Sequence, residues 1–163
     1  MSRKSFPYKY ASLSEEKCQA EIRALFAYYN VEAFTFGENI KERIVGVEFQ
    51  YQGQKIRLTV DLNAAANRLL CDEPWSTRRR KAQAEYTKEK LEQAKRQSYR
   101  LLLNWLEVSF SLIELGVFKF MDVFMPYYVL IDKGGRERLL GEVIEAKLSD
   151  LSKLLPEAKD ADS

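Results

Sequence analysis

Ser76-Thr77-Arg78-Arg79-Arg80-Lys81-Ala82-Gln83-Ala84-Glu85-Tyr86-Thr87-Lys88-Glu89-Lys90-Leu91-Glu92-Gln93-Ala94-Lys95-Arg96-Gln97-Ser98-Tyr99-Arg100 runs directly into Leu101-Leu102-Leu103-Asn104-Trp105-Leu106-Glu107-Val108-Ser109-Phe110-Ser111-Leu112-Ile113-Glu114-Leu115-Gly116. The pattern predicts one helix over 76–116 whose halves have opposite chemistry. Residues 78–100 carry nine Lys/Arg against three Glu, whereas 101–115 is apolar on nearly every side. Such a helix is expected to sink its C-terminal half in a core and project a basic N-terminal half into water. At 1.5 Å per residue it would span about 60 Å.

Ser76 or Thr77 is the expected N-cap and Gly116 the expected stop. One apolar line runs Leu91, Ala94, Ser98, Leu101, Trp105, Val108, Leu112 and Leu115. A second, Leu102, Leu106, Phe110 and Ile113, widens it into a surface read as buried. Arg100, Asn104, Glu107, Ser111 and Glu114 form a narrow polar stripe.

Upstream, Ser12 and Glu15 form a capping box that opens a helix over about 13–29. Cys18, Ile22, Leu25, Phe26 and Tyr29 lie on its apolar face, and Asn30 is the stop. Ala33 to Phe36 reads as a short strand and Gly37-Glu38-Asn39 as a turn. Arg43 to Tyr51 alternates, with Val45, Val47, Phe49 and Tyr51 on one face. After the Gln52-Gly53 turn, Ile56, Leu58 and Val60 point inward, with Lys55, Arg57, Thr59 and Asp61 outward. Residues 62–75 hold no clear period and read as a connecting loop. Downstream, Phe118–Met125 reads as a helical turn and Tyr127–Ile131 as a strand. A turn at Asp132–Gly135 leads to a last helix over about 137–155, with Leu139, Leu140, Val143, Ile144, Leu148 and Leu151 inward. The fold class is therefore α+β. A small antiparallel sheet of three or four strands is packed by the first helix and the long helix, with a C-terminal hairpin-like strand and helix. A single domain over 1–155 and a frayed charged tail at 156–163 are expected.

The 163 residues contain no histidine, which removes imidazole acid/base chemistry and His-ligated metals. Cys18 and Cys71 suggest free thiols and a reducing compartment. No signal-peptide run or stretch of about 18 uninterrupted apolar residues is present, so a cytoplasmic location is expected. Net charge is only +2, less than the excess carried by residues 78–100. The field is therefore local rather than global.

Tyr10-Ala11, Ser14-Glu15-Glu16-Lys17, Glu21–Tyr29, Phe34–Gly37, Val45–Phe49, Gly53–Thr59, Arg100–Leu103, Glu114–Val117 and Phe124–Leu130 follow one another in an order that resembles a family of uncharacterised proteins. The family is encoded by tailed bacteriophages and prophages. This chain departs from it on the long helix, where Glu107 and Ser109 replace lysines. The resemblance implies a phage setting, in the host cytoplasm, beside replication and recombination genes, which favours a nucleic-acid role.

Four positive charges at a helix N-terminus oppose the macrodipole, at about 0.3–1 kcal/mol each. A sequence shaped for stability alone would place acids there. Arg78, Arg79, Arg80 and Lys81 therefore read as phosphate contacts, extended along the helix by Lys88, Lys90, Lys95, Arg96 and Arg100. The competing reading is a solvated face balanced by Glu85, Glu89 and Glu92, with Glu92–Arg96 as a favourable i,i+4 pair. Lys55 and Arg57, with Arg43 as a candidate partner opposite, form a second candidate surface, or else protect a sheet edge. Tyr8, Tyr10, Tyr51, Trp75 and Tyr86 could stack bases, although Trp75 reads better as a pin for the long helix. Glu145 and Lys147 lie on a helix and cannot form an acid-x-lysine nuclease site with Asp132. Glu107 and Glu114 share a helix face that suits a metal only if another helix supplies partners, and a polar stripe pairing with Arg100 is the better reading.

The reading is a non-enzymatic phage accessory protein, without cofactor or metal, that binds nucleic-acid backbone. Its rival is a protein-interaction module that inhibits or adapts a host defence or replication factor. Self-association through the seam from Leu91 to Leu115, giving a homodimer, is a third expectation.

Overall fold

The computed structural model describes residues 14–154. Ser14 caps the first helix, α1 (Glu15–Tyr28), by accepting the Lys17 N–H at 3.3 Å. The expected cap, Ser12, lies outside the described residues. Asn30 ends α1 with φ of 57°, a left-handed conformation that Asn tolerates better than most residues.

The sheet is antiparallel in the order β1 (Ala33–Asn39), β2 (Ile44–Tyr51), β3 (Gln54–Asp61). β1 runs past the expected turn at Gly37. The chain reverses instead after Asn39, whose Oδ1 accepts the Lys41 and Glu42 N–H groups. Phe34 pairs with Phe49 and Phe36 with Val47, so the alternation of both strands is in phase. Val45, Val47, Phe49, Ile56 and Leu58 are buried, as their spacing predicts. α1 and the long helix cover that face, and Glu48, Gln50, Lys55, Arg57 and Thr59 populate the other.

Residues 62–72 form a helix, α2 (Leu62–Asp72), where a loop was expected. Asp61 supplies the nucleus: its Oδ1 accepts the Asn63 N–H at 2.8 Å and the Ala64 N–H at 3.3 Å. Leu62, Ala65, Ala66 and Leu69 are buried at i, i+3, i+4 and i+7. The apolar period was present, carried by alanines too small to mark it.

The long helix, α3, spans Gln83–Glu114, so it is shorter than the expected 76–116. Neither Ser76 nor Thr77 caps it; Ala82 occupies the N-cap without a side-chain bond. Its C-terminal end falls as expected, with Gly116 at φ of 72°. The basic half does not project freely either. α2 packs along it, burying Tyr86, Lys90, Ala94, Gln97 and Ser98. Lys90 is matched there by Glu73 at 2.5 Å.

In the apolar half, Leu102, Leu103, Leu106 and Phe110 enter the core with Phe26 and Phe49. Tyr29 stacks on Phe110 with ring centroids 4.7 Å apart. The other expected seam is not core: Trp105, Val108 and Leu115 are exposed, and Leu101 and Leu112 only half-buried. Leu102, Leu103, Leu106 and Phe110 fall within about 100° of the helix circumference, which leaves this line outside.

After Gly116 come α4 (Phe120–Phe124) and a 3-10 turn (Met125–Tyr127) at Pro126. A hairpin follows, β4 (Val129–Ile131) with β5 (Glu137–Leu139), and then α5 (Leu140–Leu154). The last helix thus starts three residues later than expected, because 137–139 pair with β4. Ile144 and Leu148, expected inward, are exposed. A single bridge between Ile56 and Tyr128 joins the hairpin to β3. Among the described residues no helix is long and apolar enough to cross a membrane.

Candidate nucleic-acid interface

The four-cation run lies in the loop between α2 and α3. The sequence explains why no helix forms there: three arginines and a lysine would sit at the positive end of the dipole. The loop is nevertheless well tied. The Arg79 N–H donates to the Ser76 carbonyl at 3.0 Å, and the Trp75 indole N–H donates to the Lys81 carbonyl at 3.0 Å. Tyr86, buried under the loop, donates its hydroxyl to the Glu73 carbonyl at 2.8 Å. The Arg79 guanidinium covers its ring at 4.4 Å from the centroid. Trp75 therefore pins the loop rather than the helix start itself.

These ties divide the predicted cations. Lys81 binds the Glu89 carboxylate, which raises its pKa above the ordinary lysine value. Arg79 is held over Tyr86. Arg78 and Arg80 are exposed and have no ion-pair partner among the described residues. Along the N-terminal half of α3, Lys88 and Arg96 are likewise exposed and unpaired among the described residues. The expected Glu92–Arg96 pair does not form. Arg78, Arg80, Lys88 and Arg96 are thus the predicted site cations left available for an anionic partner.

The remaining predicted residues are engaged elsewhere. Lys95 binds Glu38 at 2.8 Å and Glu15 at 3.1 Å, tying α3 to the end of β1 and the start of α1. Burial opposes its charge, but the Glu38 and Glu15 carboxylates more than offset that and raise its pKa. Lys55 and Arg57 do project from the outer sheet face, as expected, but not as a free basic surface. Glu48, opposite Arg57 on β2, accepts from Arg57 Nε at 2.8 Å and lies 3.0 Å from Lys55. Glu137 on β5 accepts from both cations, at 2.8 Å from Lys55. No sequence pattern in β3 could reveal this, since Glu137 lies 80 residues beyond Arg57. Arg43 donates to Asn63 at 3.2 Å, and Arg100 lies 3.4 Å from Glu21. Lys90 is buried with Glu73.

Among the candidate stacking residues, Tyr51 packs on Phe120 and Phe110 in the core. Tyr8 and Tyr10 lie outside the described residues. Asp132 accepts the Gly134 and Arg136 N–H groups and closes the β4–β5 turn, as its spacing implied. Glu114 accepts the Tyr29 hydroxyl at 2.8 Å. The exposed apolar line of α3 belongs to the seam through which self-association was expected, whereas the open side of α5, with Ile144 and Leu148 exposed, was not foreseen. Two full apolar lines on one helix are more than one core contact can use.

No family model, curated protein or solved structure is significantly similar to this chain.

Proposed function

We propose that this chain is a non-enzymatic phage accessory protein that binds nucleic-acid backbone through the loop preceding α3. The observation that carries the reading is the pinned loop: Trp75 and Tyr86 tie its backbone, and Arg78 and Arg80 stand exposed on it without an ion-pair partner among the described residues. A cation on a tied backbone forfeits less conformational entropy on meeting a phosphate than one on a loose chain. Arg also offers a planar fork that suits phosphate oxygens. Lys88 and Arg96 continue the positive face along α3. Among the described residues no base-reading element accompanies them, so contact with the backbone would be sequence-tolerant and salt-sensitive.

The test is fluorescence anisotropy with labelled single-stranded and duplex DNA and RNA over a salt series. Micromolar binding that weakens steeply with salt is expected, and its loss when Arg78, Arg80, Lys88 and Arg96 become Gln. Failure to bind at low salt would refute the reading.

A second reading, a protein-interaction module acting on a host factor, is supported by the exposed segment after α3. Val117, Phe118 and Met121 show 58%, 47% and 57% of their surface, more apolar area in one short stretch than solubility favours. Binding that survives high salt would distinguish it.

A further inference from the structure

We infer that the pocket between the C-terminal ends of α1 and α3 is a binding site for an alkylated ammonium group. The pocket has a volume of about 370 Å³, and Tyr28, Tyr29, Tyr51, Phe110 and Glu114 line it. Its aromatic rings form a box. Tyr29 stacks on Phe110 with 20° between the ring planes. Tyr28 stands at 84° to Tyr29 with centroids 4.9 Å apart, and Tyr51 at 86° to Phe110 with centroids 5.9 Å apart. Two rings thus rise steeply from one stacked pair. Phe110 is buried and serves as the floor, whereas Tyr28 keeps 69% of its surface exposed. A ring so exposed adds little to the core but can meet a ligand.

Three sources of negative potential converge on this box. Glu114 is exposed, and its Oε2 accepts the Tyr29 hydroxyl at 2.8 Å, which fixes the carboxylate against the rings. It has no ion-pair partner among the described residues. The other two sources are helix ends: Tyr28 is the last residue of α1 and Glu114 the last of α3. A helix C-terminus carries the equivalent of about half a negative charge. Neither helix has a basic residue in its last turn, and no lysine or arginine lines the pocket. An acid at the end of α3 opposes that helix's dipole, a cost that a bound cation would offset.

The chemistry of the lining narrows the cation. Tyrosine faces attract a positive charge through the ring quadrupole. A hard metal ion takes about six or more oxygen ligands, and the side chains here offer one carboxylate. Among the described residues no cluster of three metal-ligating side chains exists. A guanidinium would seek both carboxylate oxygens, one of which already accepts Tyr29. An alkylated ammonium brings its charge with no donors to satisfy, and its methyl surface suits aromatic walls. The site lies at the far end of α3 from the basic loop, so the inference is independent of the nucleic-acid reading.

An NMR titration of the full chain with choline chloride at constant ionic strength tests it. The ring signals of Tyr28, Tyr29 and Tyr51 should shift and saturate. The neutral isostere, with carbon in place of the ammonium nitrogen, should leave them unmoved. Tyr28→Leu, at an exposed position, should weaken binding about two- to fivefold, and Tyr28→Trp should tighten it, because indole is the best ring for a cation. Glu114→Gln keeps an acceptor for Tyr29 and should weaken binding several-fold. A peptide carrying trimethyl-lysine, run beside its unmethylated form, separates the sources of the group. Tighter binding of that peptide than of choline assigns the site to a protein side chain, and the reverse assigns it to a free small molecule. No saturable shift with either probe, or an equal response to the isostere, would overturn the proposal. So would binding that none of the three substitutions alters.

Discussion

The Trp75 indole N–H donates to the carbonyl of Lys81, so a residue six positions earlier closes the basic loop over the buried ring of Tyr86. Replacing Trp75 with Phe keeps the apolar body and removes the donor. The fold should lose about 1 kcal/mol, the usual net worth of one hydrogen bond. Affinity for DNA should fall several-fold as Arg78 and Arg80 lose their fixed positions. Urea melts and anisotropy titrations on the same variant check both effects, and undiminished affinity would show that loop order is irrelevant.

Glu137 gives the protein a pH dependence of known sign. Hydrogen bonds from Lys55 and then Arg57 hold its carboxyl at about 2, below the ordinary value of 4.5. Because the folded value is depressed, the stabilisation is complete above the unfolded pKa and is lost as pH falls from about 4.5 through about 2. Thermal melts across that window should show Glu137→Gln less stable than the wild type at pH 6, with the difference vanishing near pH 2. A constant difference would mean that the carboxylate contributes nothing through its charge.

Gly46 lies on β2 directly against the backbone of β3. A Cβ there would lie 2.1 Å from the Leu58 carbonyl oxygen, a backbone atom that cannot swing aside. Gly46→Ala should therefore cost about 1–3 kcal/mol, typical of overpacking. Its neighbour across the β1–β2 pair, Gly37, has nothing within 4 Å of the same added atom. Gly37→Ala should change stability by no more than about 0.5 kcal/mol. Urea unfolding of the pair separates a steric requirement from a general intolerance of alanine.

Gln97 offers a gain. Its side chain is 1% exposed, and neither amide atom has a hydrogen-bond partner among the described residues. An unsatisfied buried amide costs about 1–3 kcal/mol, so Gln97→Met, similar in length and without polar hydrogens, should raise the urea midpoint. A lower midpoint would show that the amide is satisfied in solution.

Much of the fold was legible because alternation of period two in β2 and β3 and helical spacing in α1 each bury one face. Val45, Val47, Phe49, Ile56 and Leu58 lie where that rule puts them. The rule failed at α2 because Ala64, Ala65 and Ala66 mark no contrast, and the decisive cap is a side-chain bond from Asp61. It failed at 76–82 because helical composition continues through a segment whose charges oppose the dipole. The candidate site was legible only in part. Local sequence shows where cations lie but not which acids reach them. Glu38 and Glu15 claim Lys95, and Glu137 claims Lys55 and Arg57, across separations that no spacing rule sees. Arg78 and Arg80 stay unpaired among the described residues because no acid lies within their short run.

The most direct measurement is the slope of log affinity against log salt for three proteins: the wild type, Arg78→Gln/Arg80→Gln, and Lys55→Gln/Arg57→Gln. Each lost duplex phosphate contact lowers the slope by about 0.9, so the loop variant should lose nearly two and bind far more weakly. The sheet variant should keep the wild-type slope, because its cations are already matched by Glu48 and Glu137. Equal slopes for the wild type and the loop variant, or no binding at low salt, would contradict the account.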